Sequence, residues 1–190
     1  MPVVAVIGAQ WGDEGKGKVV DLLAMKAQVV ARSQGGANAG HTIHRGDRKI
    51  VLHLLPSGAL NPLTQCLIGP GVVLDPAELI KELAVIETQG LALKGRLTID
   101  LRTHLVLPTH KLLDGFVETS LGDAKIGTTC RGIGPAYSDK TARRGVRLGD
   151  LLDKPRRLKT FGALFDYHAL LLKKLYETEA PDRGQFLETA

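Results

Sequence analysis

From Gly8 to Leu23 the chain reads GAQWGDEGKGKVVDLL, and Gly12–Lys18 satisfies the phosphate-loop pattern G-x-x-x-x-G-K. Glycines at 12, 15 and 17 let backbone N–H groups approach phosphate oxygens, and Lys16 and Lys18 supply mobile cations. The Ser or Thr that should follow, with a hydroxyl for magnesium, is Val19, and the acidic pair Asp13–Glu14 lies inside the loop. A carboxylate among phosphates is repulsive unless a cation or a proton intervenes. Asp13 therefore suits a Mg2+ ligand or a general base, with helix capping as the plainer alternative. Glu14 reads as a solvent-facing or salt-bridged acid. A second glycine loop, QGGANAGHT, offers Gln34 and Asn38 for hydrogen bonds and His41 as an acid or as a donor to a developing anion. A third stretch carries GTTCRG and KTARRG, where Thr128 and Thr129 could bond phosphate and Arg131, Arg143 and Arg144 could clamp it, or where a basic loop is simply solvated. His41, His44 and His53 show no carboxylate pattern that would make them a zinc site.

These residues need elements to position them. VVAVI at 3–7 is a continuous apolar run, which predicts a strand buried on both faces. The glycine loop follows, and KVVDLLAMKA then predicts a helix, so the order strand, loop, helix is the one a phosphate cradle requires. AQVVARSQ (27–34) reads as a second strand, HTIHRGDRKIVLHLL as a hairpin turning at Gly46–Asp47, and QCLIG (65–69) as another buried strand. DPAELIKELAVIETQG predicts a helix capped by Asp75, with Pro76 in its first position and Gly90 beyond its end. RLTIDL and HLVLP are further strands and HKLLDGFVETSL a shorter helix. Residues 122–150, glycine-rich and basic with little periodicity, read as a long irregular loop of the functional kind. The tail is helical and amphipathic. The alternation of strands and helices indicates an α/β fold with a mainly parallel central sheet, flanking helices, an antiparallel hairpin and a phosphate-loop-like nucleotide-binding core.

Composition narrows the partners. The 190 residues carry 44% hydrophobic and 24% charged side chains, which suits one globular domain. A net charge of +5 fits small anionic ligands, whereas aromatics at 4% argue against base-stacking nucleic-acid platforms. No apolar run approaches membrane-spanning length, the N-terminus reads as a strand and not as a secretory signal, and Cys66 and Cys130 fit neither a metal nor a disulfide spacing. A cytoplasmic protein without nucleic-acid or membrane partners is expected.

QWGDEGKGKVVDLL, QGGANAGHT, LHLLPSG, GPGVVLDP and IGTTCRGIGPAYSDKTARRGVRLGDL, in this order and at this spacing, closely resemble the adenylosuccinate synthetase family. The resemblance is strongest from Val3 to about Leu152 and covers the N-terminal part of the family's length, so the fold is expected to be truncated relative to it. It implies GTP- and magnesium-dependent joining of IMP and L-aspartate through 6-phosphoryl-IMP, the committed step from IMP toward AMP. By position it implies Asp13 as the base on IMP and a Mg2+ ligand, His41 as the acid assisting transfer, and Lys16 as a third catalytic group. Gly12, Glu14, Gly15, Gly17 and Lys18 complete the GTP loop, with Thr42 on the GTP side. The Gly40 carbonyl is implied as the second Mg2+ contact. Glu14, Gly15, Lys16, Asn38, Ala39, Gly40, His41 and Thr129 face IMP, and Arg143 reaches IMP in the partner subunit of a homodimer. One partial GTP/IMP-binding domain over 1–190 follows, with a loop and helical subregion at 122–190 packing at the dimer interface. The family's guanine-reading segment, its aspartate-receiving loop and its final strands are not found in this sequence, and Cys130 stands where the family often has Gly or Lys. Weak or no complete synthetase activity is therefore expected of these 190 residues by themselves. The alternative is a catalytically incomplete unit that only binds nucleotide or dimerises.

Overall fold

The computed structural model of the chain describes residues 3–9, 15–45 and 48–189. Helix α1 (Lys16–Ala24) opens directly from Gly15, whose φ of 81° is a left-handed conformation that glycine adopts without penalty. Strand β1 (Val29–Gly35) follows, then the hairpin of β2 (His41–Arg45) and β3 (Arg48–Leu52). The hairpin register runs from His41 opposite Leu52 to Arg45 opposite Arg48, and its expected Gly46–Asp47 turn lies outside the described residues.

Strand β4 (Gln65–Leu74) is the centre of the sheet. It pairs in parallel with β1 on one side and β5 (Leu97–Ile99) on the other, and its C-terminal end pairs in parallel with β6 (His104–Leu105). The sequence suggests only QCLIG as strand; the element continues through Pro70 because the chain bulges there. Arg32 faces Ile68 while Gln34 faces Gly71, so β4 carries one extra residue at Pro70, which has no N–H to give a ladder. A Cβ on Gly71 would stand 2.1 Å from the Ser33 carbonyl oxygen, so only glycine allows this approach.

Helix α2 (Pro76–Thr88) starts as the sequence dictates, with Asp75 accepting from the backbone N–H groups of Ala77 and Glu78. Leu52, Leu54, Leu55, Leu60, Ile68, Leu74 and Ile86 form a fully buried core between sheet and helices. Helix α3 (Pro108–Ser120) covers the β6 end, and the long α5 (Lys154–Tyr176) drives Phe161, Leu164 and Phe165 into the same core. Helix α6 (Arg183–Thr189) closes over it, with Phe186 4.8 Å from the Phe165 ring centre.

Two sequence expectations are corrected. The run at 3–7 forms no strand, and Val3 and Ile7 are 95% and 85% exposed. An apolar strand needs a neighbour along its edge, and the described sheet, bounded by β1 and β5, does not carry this segment on either side. Residues 122–150 are not one irregular loop: they contain α4 (Ile133–Thr141) and 3-10 turns at Gly122–Ala124 and Leu148–Leu152. Helix α4 lacks a strong apolar stripe but has Pro135 in its first turn, where proline is tolerated. It starts at Gly132, φ 74°, packed so closely on α3 that a Cβ would meet the His110 backbone at 2.8 Å. Tertiary packing, which no periodicity reveals, makes this helix.

Candidate functional site

The site is assembled where α1 begins. Gly15 turns the chain, Lys16 opens the helix, and the buried Gly17 offers a bare backbone surface. His41, the first residue of β2, lies on that surface: a Cβ on Gly17 would be 2.9 Å from both Cβ and Nδ1 of His41. The second glycine loop is thereby folded onto the first. A helix N-terminus carries partial positive charge and unsatisfied N–H groups, so Lys16, these amides and the imidazole together favour an anion.

The charge state of His41 follows from its surroundings. Burial pushes the imidazole below its ordinary value, and the nearby Arg32, Lys16 and His53 add to the shift. The ring is neutral at pH 7, with one N–H to donate and one nitrogen able to accept.

The loop that presents His41 is held from below. Arg32, on β1, is half-buried, and its guanidinium donates to the carbonyls of Gly36 (2.8 Å) and Gln34 (3.3 Å) and to that of His53. Burial lowers the Arg32 pKa, against which Glu82 and Tyr137 act, and the group stays cationic. Glu82, on α2, is buried and accepts from the backbone N–H groups of His53 (2.6 Å), Leu54 (2.8 Å) and Leu55 (3.3 Å). His53 Nδ1 lies 3.1 Å from the Ala39 carbonyl oxygen, and its ring packs beside Gly40. Tyr137, from α4, accepts the Gly35 N–H and donates to the Gly71 carbonyl, both at 2.8 Å, which ties the end of β1 to the β4 bulge.

The expected site residues fall into three groups. Gly15, Lys16, Gly17 and Lys18 stand at the start of α1, with His41 and Thr42 on β2 beside it and Asn38, Ala39 and Gly40 exposed in the loop between. Thr129 is exposed in the segment before α4, and Arg143 lines a separate cleft of about 420 Å³ against α5 with Arg144, Arg147, Lys159 and Tyr167. Gly12, Asp13 and Glu14 lie outside the described residues. Two arginines considered as phosphate clamps are otherwise engaged: Arg131 donates to the Ala37 carbonyl, which ties the third stretch to the second loop, and Arg144 donates to Asp139 at 2.6 Å. Arg32, Glu82 and Tyr137 are the support that sequence reasoning missed. Polar residues inside otherwise apolar strand and helix patterns were the available signal, but the partners that tie these elements together, His53 for Arg32, Leu54 for Glu82 and Gly35 for Tyr137, are 21 to 102 residues away.

Fold and site define an α/β protein with a parallel sheet and a glycine-turned helix N-terminus with an imidazole seated against its first turn. The profile of the adenylosuccinate synthetase family matches residues 5–189, and the chain belongs to that family. It is 51% identical over 183 residues to the adenylosuccinate synthetase of Thioalkalivibrio sulfidiphilus, covering 96% of this chain and 43% of that protein. With that of Symbiobacterium thermophilum it shares 55% identity over 176 residues, 93% of this chain and 40% of the relative. The structure of fully ligated adenylosuccinate synthetase from Plasmodium falciparum superimposes with a TM-score of 0.83 at 38% identity, over 96% of this chain and 42% of that one. Cyanophage S-2L succinoaminodeoxyadenylate synthetase, bound to dGMP and dATP as an energy donor, matches with a TM-score of 0.57 at 30% identity, over 75% and 39%. The chain thus spans about two fifths of the length of the relatives it matches.

Proposed function

We propose that this chain supplies the phosphoryl-transfer part of its family's reaction: GTP phosphorylates O6 of IMP, and L-aspartate then displaces phosphate to give adenylosuccinate. The observation that carries this reading is the seating of His41 on Gly17 beside Lys16, which puts a hydrogen-bond donor next to a helix N-terminus able to hold phosphate. A purine carbonyl is a poor electrophile with a bad leaving group, and phosphorylating its oxygen creates a good one. Negative charge moves between GTP and O6 during transfer, and a neutral imidazole N–H stabilises it without the desolvation cost of a buried cation. A bound polyphosphate would raise the His41 pKa by opposite charge, so the same ring is able to act as an acid once loaded.

Asp13 is the proposed base at N1 of IMP. Oxygen donors suit magnesium, and the Asp13 carboxylate with the Gly40 carbonyl, one residue before His41, is a donor set of that kind. The ion would neutralise phosphate charge and align the transferring group. A metal-bound carboxylate is a weak base, but N1 becomes more acidic as O6 bonds to phosphorus, so positioning matters more than basicity. Lys16 and Lys18 hold phosphate, Thr42 stands on the GTP side, and Asn38 and Thr129 contact IMP. Arg143 reaches the IMP of a second copy, which makes 122–190 the interface region of a homodimer. No helix among the described residues is long and apolar enough to cross a membrane, and Cys66 and Cys130 are unpaired, which accords with a cytoplasmic place.

The test is positional isotope exchange in GTP with oxygen-18 in the β,γ-bridge, plus Mg2+. Scrambling that requires IMP but not aspartate is the expected result. Scrambling or hydrolysis indifferent to IMP would make the chain a plain GTPase and overturn the reading. Little adenylosuccinate is expected from these residues by themselves, and full turnover in a coupled assay would overturn that part.

A further inference from the structure

Behind the 143–147 cleft lies a polar cluster that the transfer reaction does not use. Asp139, on α4, His110, on α3, and His168, on α5, are all buried. Asp139 Oδ2 accepts from His110 Nε2 (3.0 Å) and from His168 Nε2 (2.7 Å), while Oδ1 accepts from Arg144 Nε (2.6 Å). The Leu107 N–H donates to His110 Nδ1 at 2.8 Å, which fixes the proton on Nε2, and His168 Nδ1 shares a 2.7 Å hydrogen bond with Thr109 Oγ1. Three groups of metal-binding type therefore meet within 4.8 Å. The pattern is nevertheless that of a hydrogen-bonded hub: both imidazoles present N–H to one carboxylate oxygen, and a guanidinium already neutralises the other. Burial pushes the Asp139 carboxyl up, but the bonds from His110, His168 and Arg144 outweigh it and hold the group well below the usual carboxylate range.

The hub also controls the backbone that follows. The Asp139 carbonyl oxygen accepts the N–H groups of Arg144 (3.0 Å) and Gly145 (3.1 Å). Between these anchors Arg143 sits at φ 60°, a left-handed conformation uncommon for a residue with a side chain. The Arg144 guanidinium is pinned a second time, 4.0 Å from the Tyr167 ring centre, and Arg143 is left exposed. Fixing the Arg144 guanidinium and these two amides holds the turn in one conformation, in which the exposed Arg143 side chain lines the cleft beside Arg144.

We propose that Asp139, held by His110 and His168, is a positioning residue that locks the 142–145 turn and so presents Arg143 outward to a second copy of the chain. The lock stands on this geometry; its purpose rests on the reading that Arg143 contacts IMP in the partner subunit. Hydrogen exchange at the Arg144 and Gly145 amides tests the lock. In Asp139→Asn both should exchange at least ~10-fold faster while the β4 amides are unchanged; unaltered exchange overturns the proposal. If that variant fails to fold, Arg144→Gln removes the exposed partner and leaves both histidine bonds. Faster exchange at the Gly145 amide then supports the lock, and unchanged exchange overturns it. IMP titration of the dimer tests the purpose. Arg143→Ala should weaken binding by ~10-fold, and Asp139→Asn should weaken the native chain but add less than ~2-fold to Arg143→Ala. A full additional loss in the double variant overturns the positioning role. Loss of the lock with no effect of Arg143→Ala overturns the partner-site reading and leaves the lock standing.

Discussion

Gly17→Ala probes the contact on which the proposed site depends. The added methyl would lie 2.9 Å from Cβ and Nδ1 of His41 and 3.0 Å from Cγ. Carbon pairs rest at about 3.5–4.0 Å, so the ring and α1 must separate by about 0.6 Å. Overpacking of this kind costs about 1–3 kcal/mol, while alanine in place of helical glycine returns about 0.5–1 kcal/mol. The net loss is about 0–2.5 kcal/mol, which lowers Tm by no more than about 10 °C for a chain of this size. The variant folds, but its imidazole is displaced. A shift of that order in a positioned group costs roughly 10- to 100-fold in transfer. Gly115→Ala is the control, because Gly115 lies in α3 with nothing within 4 Å of its added Cβ. It should gain about 0.5–1 kcal/mol and leave the site alone. Imidazole C–H chemical shifts are read first, because they require no turnover, followed by GTP titration and isotope exchange. A Gly17→Ala protein with unmoved His41 shifts, or with native exchange of the GTP bridge oxygen, would refute the argument.

Other outcomes follow from the same geometry. Glu82→Ala strands the N–H groups of His53, Leu54 and Leu55 and leaves Arg32 without its nearby carboxylate; a loss of about 3 kcal/mol, or about 6–12 °C in Tm by calorimetry, is expected. Adding a GTP analogue should raise the His41 pKa from its depressed ligand-free position, as read by NMR titration, and no movement would place the phosphates elsewhere. Burial depresses His110 below its unfolded value of 6.5, so its contribution to stability is complete above that pH and declines as pH falls through it. Urea midpoints should drop below pH 6.5, by up to ~1.4 kcal/mol per pH unit for one such group, and His110→Gln should flatten that limb. Val4→Lys changes a side chain that is 70% exposed and should leave stability within about 0.5 kcal/mol; a larger loss would show residues 3–7 packed in solution.

The family was legible because its motifs are local: GDEGKGK, GANAGH and GIGPAYSDK are short strings whose chemistry depends on spacing along the chain. Caps and turns were legible for the same reason, since the cap bonds of Asp75 go to Ala77 and Glu78, two and three residues on, and Pro76 needs only its own fixed φ. Strand 3–7 was misread because apolar pattern reports a wish for burial, whereas a strand exists only where an edge receives it. Helix α4 was missed because its reasons for being a helix lie on α3 and α5.

The parts of the candidate site are written along the chain: which loops carry glycine, which residues carry charge, and which family the chain belongs to. Packing in three dimensions seats His41 on Gly17, sets Arg32 and Glu82 to hold the loop between them, and bonds Arg144 to Asp139. These include meetings of residues 21 to 28 positions apart, and a turn whose side chain folds back onto its own helix. Packing density and hydrogen-bond satisfaction select them from many sequence-compatible alternatives.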